Sequence, residues 1–277
     1  MTAPTTTYYT LITGGSSGIG KAIAWECASR GMNVLLVALP GRDLHHAAEK
    51  LRNEYPVKVE TLEIDLTNKT APQDVFNWCE ANNYRVNILV NNAGVAGTAK
   101  FEESPISYSD ERIQLNIRAV VLLTRLFIPS MKKLPNAYIL NVSSMSAFYS
   151  IPYKSIYSAS KAFVLMFSRA IREELRNTPI KISVLCPNGV RTNSGTYARI
   201  ESHGLKGKLT RVTVEKVAKT AIKGLLNGKM VIIPGRINRG IVIFGYFVPL
   251  NIKQKLLTRE FEKEMAPHLP YSRDISS

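Results

Sequence analysis

The chain has 277 residues, 45% of them hydrophobic and 21% charged, which is ordinary for a packed globular protein and excludes a disordered chain or a disulfide scaffold. Its 36 Lys and Arg against 21 Asp and Glu give a net charge of +15, which favours anionic partners. The basic residues are scattered and no nucleic-acid-binding motif accompanies them, so we predict no nucleic-acid partner. Three widely spaced cysteines, Cys27, Cys79 and Cys186, predict reduced, buried thiols and no metal site.

The sequence also bears on location. The first seven residues carry neither the basic nor the apolar region of a secretory signal. The longest apolar run, at 241–250, contains Gly245 and Pro249 and is shorter than the roughly 18 apolar residues that a membrane-spanning helix needs. We therefore expect a cytoplasmic protein that does not span a bilayer.

Apolar, β-rich runs alternate with helical stretches along most of the chain. Strands are predicted at Tyr8–Thr13, Asn33–Ala38, Lys58–Asp65, Ile88–Asn91, Ala137–Ser143, Lys181–Cys186 and Lys229–Ile233. Helices are predicted at Gly18–Arg30, Leu44–Glu54, Pro72–Asn82, Ser107–Lys132, Tyr157–Asn177 and Val214–Asn227. Most strands are uniformly apolar, which is typical of a parallel sheet covered on both faces. The pattern predicts an α/β fold with a Rossmann-like, doubly wound parallel sheet of about seven strands in a single domain.

Two segments depart from this alternation. Residues 1–233 are predicted to form the dinucleotide-binding and catalytic domain, and its long polar connection at 188–213 is typical of a lid or substrate-binding loop. Residues 234–277 are predicted to form a helical C-terminal extension. It packs on the core or on a partner subunit, or else it makes a peripheral contact with a membrane interface through an apolar run flanked by basic residues, namely Arg236, Arg239, Lys253 and Lys255.

A glycine-rich turn joins the first predicted strand to the first predicted helix. Gly14 permits a tight backbone turn, Gly18 lets the backbone approach a pyrophosphate, and Gly20 allows close packing of helix on strand. The N-terminus of the following helix offers unpaired N–H groups and a positive dipole to phosphates. We therefore predict that this turn binds a dinucleotide through Gly14, Ser16, Ser17, Gly18, Ile19 and Gly20.

Further motifs follow in a recognisable order. They are Asn91-Asn92-Ala93-Gly94, Asn116 within a long helix, Ser144, and Tyr157-Ser158-Ala159-Ser160-Lys161. Together with the glycine turn they make residues 7–233 resemble the short-chain dehydrogenase/reductase family, in its non-epimerase branch. The resemblance implies an oxidoreductase that interconverts a carbonyl and an alcohol by hydride transfer. A non-catalytic dinucleotide-binding protein is the alternative, but such proteins typically lose the tyrosine or the lysine.

The resemblance also implies roles for four residues. Tyr157 would be the general acid and base. Because a free phenol has a pKa near about 10, the ammonium of Lys161 one helical turn away would favour the phenolate. Ser144 would polarise the carbonyl; Ser143 faces the opposite side of an extended strand and is expected to make a structural hydrogen bond. Asn116 would position, through its carbonyl, a water that relays protons to the lysine.

The remaining implied cofactor contacts are Asp65, Leu66, Asn92, Ala93, Gly94, Pro187, Val190 and Thr192, besides Tyr157 and Lys161. For Asp65 a turn cap is the alternative role.

The stretch after the second strand bears on the choice of cofactor. It carries no acid at Ala38 or Leu39 to bind a ribose 2′-hydroxyl, and Arg42 suits a 2′-phosphate. The sequence therefore favours NADP(H), with an NAD-dependent alcohol or steroid-type dehydrogenase as the alternative. We also expect a small carbonyl or alcohol substrate and a homo-oligomer.

Overall fold

The computed structural model describes residues 7–188 and 212–262 and the backbone of 275–276; for Arg42 it describes the backbone alone. The strands are β1 (Tyr8–Thr13), β2 (Asn33–Ala38), β3 (Val59–Glu63), β4 (Arg85–Asn91), β5 (Gly94–Val95), β6 (Ala137–Val142), β7 (Ile180–Leu185), β8 (Val231–Ile232) and β9 (Ile275–Ser276). Seven of them form one parallel sheet in the order β3-β2-β1-β4-β6-β7-β8. The predicted Rossmann-like sheet is confirmed.

The helices follow the predicted alternation. They are α1 (Gly18–Ala28), α2 (Arg42–Glu54), α3 (Ala71–Ala81), α4 (Ile106–Ile113), α5 (Val120–Met131), α6 (Ser155–Glu174), α7 (Val214–Leu226), α8 (Arg236–Gly245) and α9 (Leu250–Glu262). A π-helical turn at Gln114–Ala119 joins α4 to α5, so the one long helix predicted there is continuous but not uniformly α-helical. α8 and α9 make up the expected helical extension.

The sheet is buried on both faces because successive strand residues point to opposite sides. Leu11, Leu35 and Leu89 belong to the core that includes residues of α3 and α5. Their neighbours in sequence, Ile12, Leu36 and Val90, belong to the core that includes residues of α1, α2 and α7. This two-sided covering is why the strands are uniformly apolar.

The order of strands reverses at the centre of the sheet. From β1 the chain adds β2 and β3 on one side, then returns to place β4, β6 and β7 on the other. In such folds ligands bind outside the carboxyl ends of the strands at this switch point. The segments after β1, β4 and β6, which hold the glycine turn, Gly94 and Ser144, therefore meet at one edge.

Within the described residues, one helix is long and apolar enough to cross a membrane by length and composition, at Ile106–Met131. Its apolar residues Leu123, Phe127 and Met131 are buried in the core between helix and sheet. Its π-helical turn carries Asn116, which is buried as well. Packing in the core therefore accounts for these three side chains, while 33% of the most apolar 18-residue stretch of this helix is buried.

The three cysteines are free and buried, as predicted. Burial in apolar surroundings raises the pKa of each thiol, Cys27, Cys79 and Cys186, to about 12. They are therefore protonated and unreactive at neutral pH.

Candidate active site

The glycine turn is packed so tightly that Gly20 has no room for a side chain. A Cβ atom at Gly20 would lie 2.0 Å from the carbonyl oxygen of Gly14 and 2.4 Å from Nδ2 of Asn92. The backbone N–H of Gly14 donates to the carbonyl of Val37 at 2.7 Å, which pins the turn to the end of β2. The start of α1 is thereby held close against the carboxyl end of β1.

This turn fits a pyrophosphate. The hydroxyl of Ser16 is buried and has no hydrogen-bond partner among the described residues. The first turn of α1 carries no acidic residue that would repel an anion. An unsatisfied buried hydroxyl beside the N–H groups of a helix N-terminus is what a bound phosphate would satisfy.

Thr13 ties this turn to the next one, a role that the sequence reasoning missed. Its Oγ1 accepts the N–H groups of Asn92 at 2.9 Å and Ala93 at 3.0 Å, and donates to the carbonyl of Val90 at 3.3 Å. The side-chain amide of Asn92 returns a hydrogen bond to the carbonyl of Thr13 at 2.9 Å. The ends of β1 and β4 are thus joined across the switch point by side chains distant in sequence.

Tyr157 and Lys161 lie one turn apart on α6, and Nζ of Lys161 is 5.9 Å from the centroid of the Tyr157 ring. Lys161 is 5% exposed, and its Nζ donates to the carbonyl of Val142 at 3.1 Å. Burial lowers the pKa of Lys161 to about 8, since the charged form loses its hydration; the nearby Cys186 acts weakly in the opposite direction. The ammonium can therefore gain and lose a proton near neutral pH.

Asn116 is fully buried, and its side chain makes hydrogen bonds within the chain. Oδ1 accepts the N–H of Val95 at 2.9 Å, while Nδ2 donates to the carbonyl of Val95 at 2.9 Å and to Oγ of Ser160 at 3.1 Å. The carbonyl that the family resemblance implies for a proton relay is the main-chain carbonyl of Asn116, which lies within the π-helical turn. Interruptions of this kind are frequent at functional sites.

Gly94 is the point where these groups converge. A Cβ atom there would lie 2.9 Å from Oδ1 of Asn116 and 3.1 Å from Nζ of Lys161. The structure thus brings Gly94, Asn116 and Lys161 into one contact, although they lie on three separate elements. Only a glycine leaves these two polar groups in place.

Ser143 and Ser144 divide their roles. Ser143 is buried, and its Oγ donates to the carbonyl of Lys161 at 2.7 Å, a structural hydrogen bond that steadies α6. Ser144 is partly exposed and caps a short 3₁₀ turn at Met145–Phe148, where its Oγ accepts the N–H of Ser146 at 3.1 Å. Because that hydroxyl oxygen accepts, its hydrogen remains to be donated to a substrate oxygen.

Comparison with known proteins decides the family. The model of the short chain dehydrogenase family matches residues 9–203. The chain belongs to the short-chain dehydrogenase family. It is 31% identical over 223 residues to the very-long-chain 3-oxoacyl-CoA reductase of Macaca fascicularis, covering 78% of this chain and 67% of that protein. It is 34% identical over 218 residues to the mouse (Mus musculus) 17-beta-hydroxysteroid dehydrogenase type 3, covering 78% and 68%.

Similarity to solved structures agrees with this assignment. A short-chain dehydrogenase from Sphingobium yanoikuyae, solved in complex with NADPH, has a TM-score of 0.75 and 31% identity, covering 87% of this chain and 93% of that one. This short-chain dehydrogenase is therefore an oxidoreductase of CH–OH and C=O groups that uses a nicotinamide dinucleotide. The chain spans about two thirds of the length of the two curated relatives.

The structure describes three further residues of this dehydrogenase that were predicted to contact the cofactor. Oδ1 of Asp65 accepts the N–H of Thr67 at 2.9 Å and its hydroxyl at 2.8 Å, so Asp65 caps a turn as the alternative role requires. The side chain of Leu66 is buried in the core, which leaves its backbone for a ligand. Pro187 accepts the N–H of Met145 at 2.9 Å and so joins the ends of β6 and β7.

Some predicted residues lie outside the described part of the chain. They are Val190 and Thr192 with the loop around them, and the side chain of Arg42. Their contacts with a cofactor stay predictions.

One carboxylate near the expected ribose site was not foreseen. Oε1 of Glu63 accepts the N–H of Gly41 at 3.0 Å and lies 3.1 Å from Nε2 of His45. The prediction considered only the end of β2, whereas Glu63 ends the neighbouring strand β3 and pairs with Ala38 in the sheet register. That pairing is the signal that would have found it.

Proposed function

We propose that this short-chain dehydrogenase reduces a ketone or aldehyde with NADPH and catalyses the reverse oxidation. The observation that carries the proposal is the convergence of Lys161, Asn116 and Gly94 beside Tyr157, with the Ser144 hydroxyl free to donate. A phenol, an ammonium and a hydroxyl donor grouped at the carboxyl edge of a dinucleotide-binding sheet suit proton transfer to a carbonyl oxygen.

The chain's own residues handle the oxygen of the substrate. When bound at the glycine turn, NADPH supplies the hydride that the carbonyl carbon accepts. Ser144 donates a hydrogen bond to the carbonyl oxygen and holds it where negative charge develops. Tyr157 transfers its phenolic proton to the same oxygen, so that one hydride and one proton together yield the alcohol.

Lys161 and Asn116 restore the proton. The buried ammonium of Lys161 stabilises the phenolate that Tyr157 leaves behind, because opposite charges attract strongly away from water. With its pKa lowered to about 8 by burial, Lys161 can pass a proton on near neutral pH. The carbonyl of Asn116, fixed by the side-chain bonds to Val95 and Ser160, positions the water that resupplies Lys161.

The proposed cofactor is NADP(H). The end of β2 carries no acid at Ala38 or Leu39 that would repel a 2′-phosphate, and Arg42 opens α2 directly beyond it. The Sphingobium yanoikuyae relative was solved with NADPH. NAD is the second candidate, since Glu63 places a carboxylate beside Gly41 in the same turn.

The proposed substrate is a ketone with a large apolar body. The names of the two curated relatives give a 3-oxoacyl-CoA and a 17-beta-hydroxysteroid as the compounds they act on. In this chain a small cleft beside Tyr157, with a volume of about 10 Å³, is lined by the aromatic side chains of Phe101, Tyr108 and Tyr153 together with polar ones such as Ser104 and Lys154. The aromatic side chains offer apolar contacts to part of such a ligand, so the support for a large apolar body comes from the two relatives.

We also propose a homo-oligomer in the cytoplasm, with a peripheral membrane contact through the C-terminal extension. A location at a membrane surface suits substrates that partition into lipid. The proposed membrane contact rests on the apolar and basic side chains of residues 236–259.

The test is a panel of ketones assayed with NADPH and with NADH. It contains a long-chain 3-oxoacyl thioester, a 17-ketosteroid and a short water-soluble ketone. We expect a higher kcat/KM with NADPH and with the apolar ketones. Tyr157→Phe should lower kcat at least about 100-fold, the contribution of a general acid.

Tyr153→Phe is the matched control, because Tyr153 lines the same cleft as Tyr157 and loses only a hydroxyl. NADPH binding, followed by fluorescence, should equal that of the wild type in Tyr153→Phe and fall only slightly in Tyr157→Phe, whose hydroxyl is one of the predicted cofactor contacts. Turnover that survives Tyr157→Phe would show that another group donates the proton, and a preference for NADH would select the second candidate.

A further inference from the structure

The tail helices expose an unusual amount of apolar surface. On α8, Ile237, Ile241 and Phe244 recur at intervals of four and three residues, so they form one stripe along the helix. All three are exposed, whereas Asn238 and Val242 on another side of the same helix are buried. α8 therefore has one side against the core and an apolar stripe that the described chain does not cover.

This exposed surface continues beyond α8. Tyr246 and Phe247 in the following turn are 68% and 81% exposed, and Leu250 at the start of α9 is 57% exposed. Most of the exposed large hydrophobic side chains among the described residues lie between Ile237 and Leu256. We call this group of exposed side chains the tail surface. A contiguous apolar patch of this kind marks an interaction site.

The charge around the tail surface is mainly positive, and α9 carries acidic residues only at its end, Glu260 and Glu262. The residues from Arg236 to Arg259 contain no Asp or Glu, while five basic side chains are spread among them, namely Arg236, Arg239, Lys253, Lys255 and Arg259. All except Lys253, whose Nζ donates to the carbonyl of Gly245 at 2.9 Å, are exposed. Exposed aromatics beside cations are typical of helices that lie in a membrane interface.

The charge also distinguishes between two partners for the tail surface, a second copy of the chain and a membrane. In a symmetric contact with a second copy, the tail surface would meet a like surface, on which five cations outnumber the two carboxylates of Glu260 and Glu262. An anionic bilayer instead neutralises the cations and buries the aromatic side chains at the boundary of headgroups and acyl chains. We propose that the tail surface docks onto membranes rich in anionic phospholipid.

Docking of α8 bears directly on the active site. The hydroxyl of Tyr149, five residues after Ser144, donates to the carbonyl of Ile241 at 3.1 Å. Nδ2 of Asn188, next to Pro187, donates to Oδ1 of Asn238 at 3.2 Å. The docked helix is thus hydrogen-bonded to both segments that flank the site. We expect this arrangement to let an apolar ketone pass from the lipid to Ser144, a consequence that rests on the proposed function.

The experiment is flotation of the full chain with phosphatidylcholine vesicles, with or without phosphatidylserine. Binding should rise with the phosphatidylserine fraction and fall as salt is added. A Phe244→Ser, Phe247→Ser double variant should lose at least about tenfold in affinity, because two aromatic side chains no longer enter the bilayer. An Arg236→Gln, Lys255→Gln double variant should lose most of the dependence on phosphatidylserine.

Ile106→Ser is the control, since Ile106 is 90% exposed but lies on α4, outside the tail surface. It should bind vesicles like the wild type. All variants should reduce a water-soluble ketone at the wild-type rate, whereas the phenylalanine variant should turn over a vesicle-embedded ketone more slowly.

The outcomes separate the two proposals. Vesicle binding that is insensitive to the phenylalanine variant, or self-association that this variant abolishes, would overturn the docking surface. Phosphatidylserine-dependent binding without turnover of any ketone would leave the docking surface standing and remove the proposed function.

Discussion

The active site and the tail are organised in opposite ways. Around Gly94, the side chains of Asn116 and Lys161 are 0% and 5% exposed, and their polar atoms bond to Val95, Ser160 and Val142. In the tail, Phe244 and Phe247 are 72% and 81% exposed. The described chain fixes the groups that we propose to move protons, whereas it leaves the apolar side chains of the tail exposed.

This contrast follows from what each region buries. Polar groups away from water are costly unless every one has a partner, so the site tolerates little displacement. An apolar helix that faces solvent gains little stability from the rest of the chain, so its side chains are free to serve a ligand or a membrane. In the proposed function, proton transfer and access of the substrate are thereby assigned to separate parts of the chain.

The difference between the two regions is tested most strongly by adding one methyl group in each of them. Gly94→Ala places a Cβ 2.9 Å from Oδ1 of Asn116 and 3.1 Å from Nζ of Lys161, so one of them must move. We expect kcat to fall about 100-fold, which is typical when catalytic groups are misplaced by about 1 Å. Steady-state kinetics on the best substrate of the panel measures it.

Gly240→Ala is the matched change in the tail, because nothing lies within 4 Å of its Cβ position in α8. It should leave kcat unchanged and raise the free energy of unfolding by about 0.5–1 kcal/mol, since alanine favours helix. Equal kcat values for the two variants would mean that Gly94 does not govern the spacing of Asn116 and Lys161.

The pH dependence of stability sharpens the picture of the buried site. Lys161 has a pKa of about 8 in the folded protein, against about 10.4 when unfolded. Between these values the unfolded chain holds more protons than the folded one, so the contribution of Lys161 to stability rises with pH, by roughly 3 kcal/mol in all. Below about pH 8 both states are charged and the contribution is constant.

The measurement is urea unfolding of the wild type and Lys161→Met across this range. The buried thiols titrate there with the opposite sign, because their pKa values are raised by burial. The difference between the two proteins isolates the lysine. If the stability of the two proteins changes with pH in the same way, burial does not lower the pKa of Lys161 in the folded protein.

A smaller effect distinguishes the two sides of α8. Val242 is 6% exposed and faces the core, so Val242→Ala should lower the free energy of unfolding by about 1–2 kcal/mol. Phe244→Ala removes a larger side chain but one that is exposed, and should change stability by less than about 0.5 kcal/mol. Denaturant unfolding without lipid tests both; a larger loss at Phe244 would show that the stripe is buried in solution.

Local patterns in the sequence predicted the sheet and the glycine turn because these depend on neighbours along the chain. The alternation of apolar strands and helices places β1 and α1 almost to the residue, but β8 is shorter than its predicted run and covers only Val231–Ile232. Short edge strands depend on pairing with one neighbour, which the run at Lys229–Ile233 does not encode.

The candidate site was predicted less completely where contacts cross the sheet. The bonds of Thr13 to Asn92 and of Gly41 to Glu63 join residues far apart in sequence, so no spacing rule reveals them. The π-helical turn at Asn116 is hidden by the continuous apolar pattern of the helix around it. The candidate catalytic residues were predicted from their motif, whereas the hydrogen bonds that hold them in place required the fold.

The π-helical turn also separates two functions of one helix. Before it, Arg112 donates to the carbonyl of Ala96 at 2.6 Å, in the loop that follows Gly94; after it, Leu123 and Phe127 pack into the core. One residue fewer between them would restore an even α-helix, and both halves would keep their faces, because a π-helical turn inside an α-helix takes up one extra residue. A single-codon deletion at 114–119 would therefore keep the packing of both halves while removing the turn that holds Asn116, a short path from the proposed enzyme to an inert scaffold.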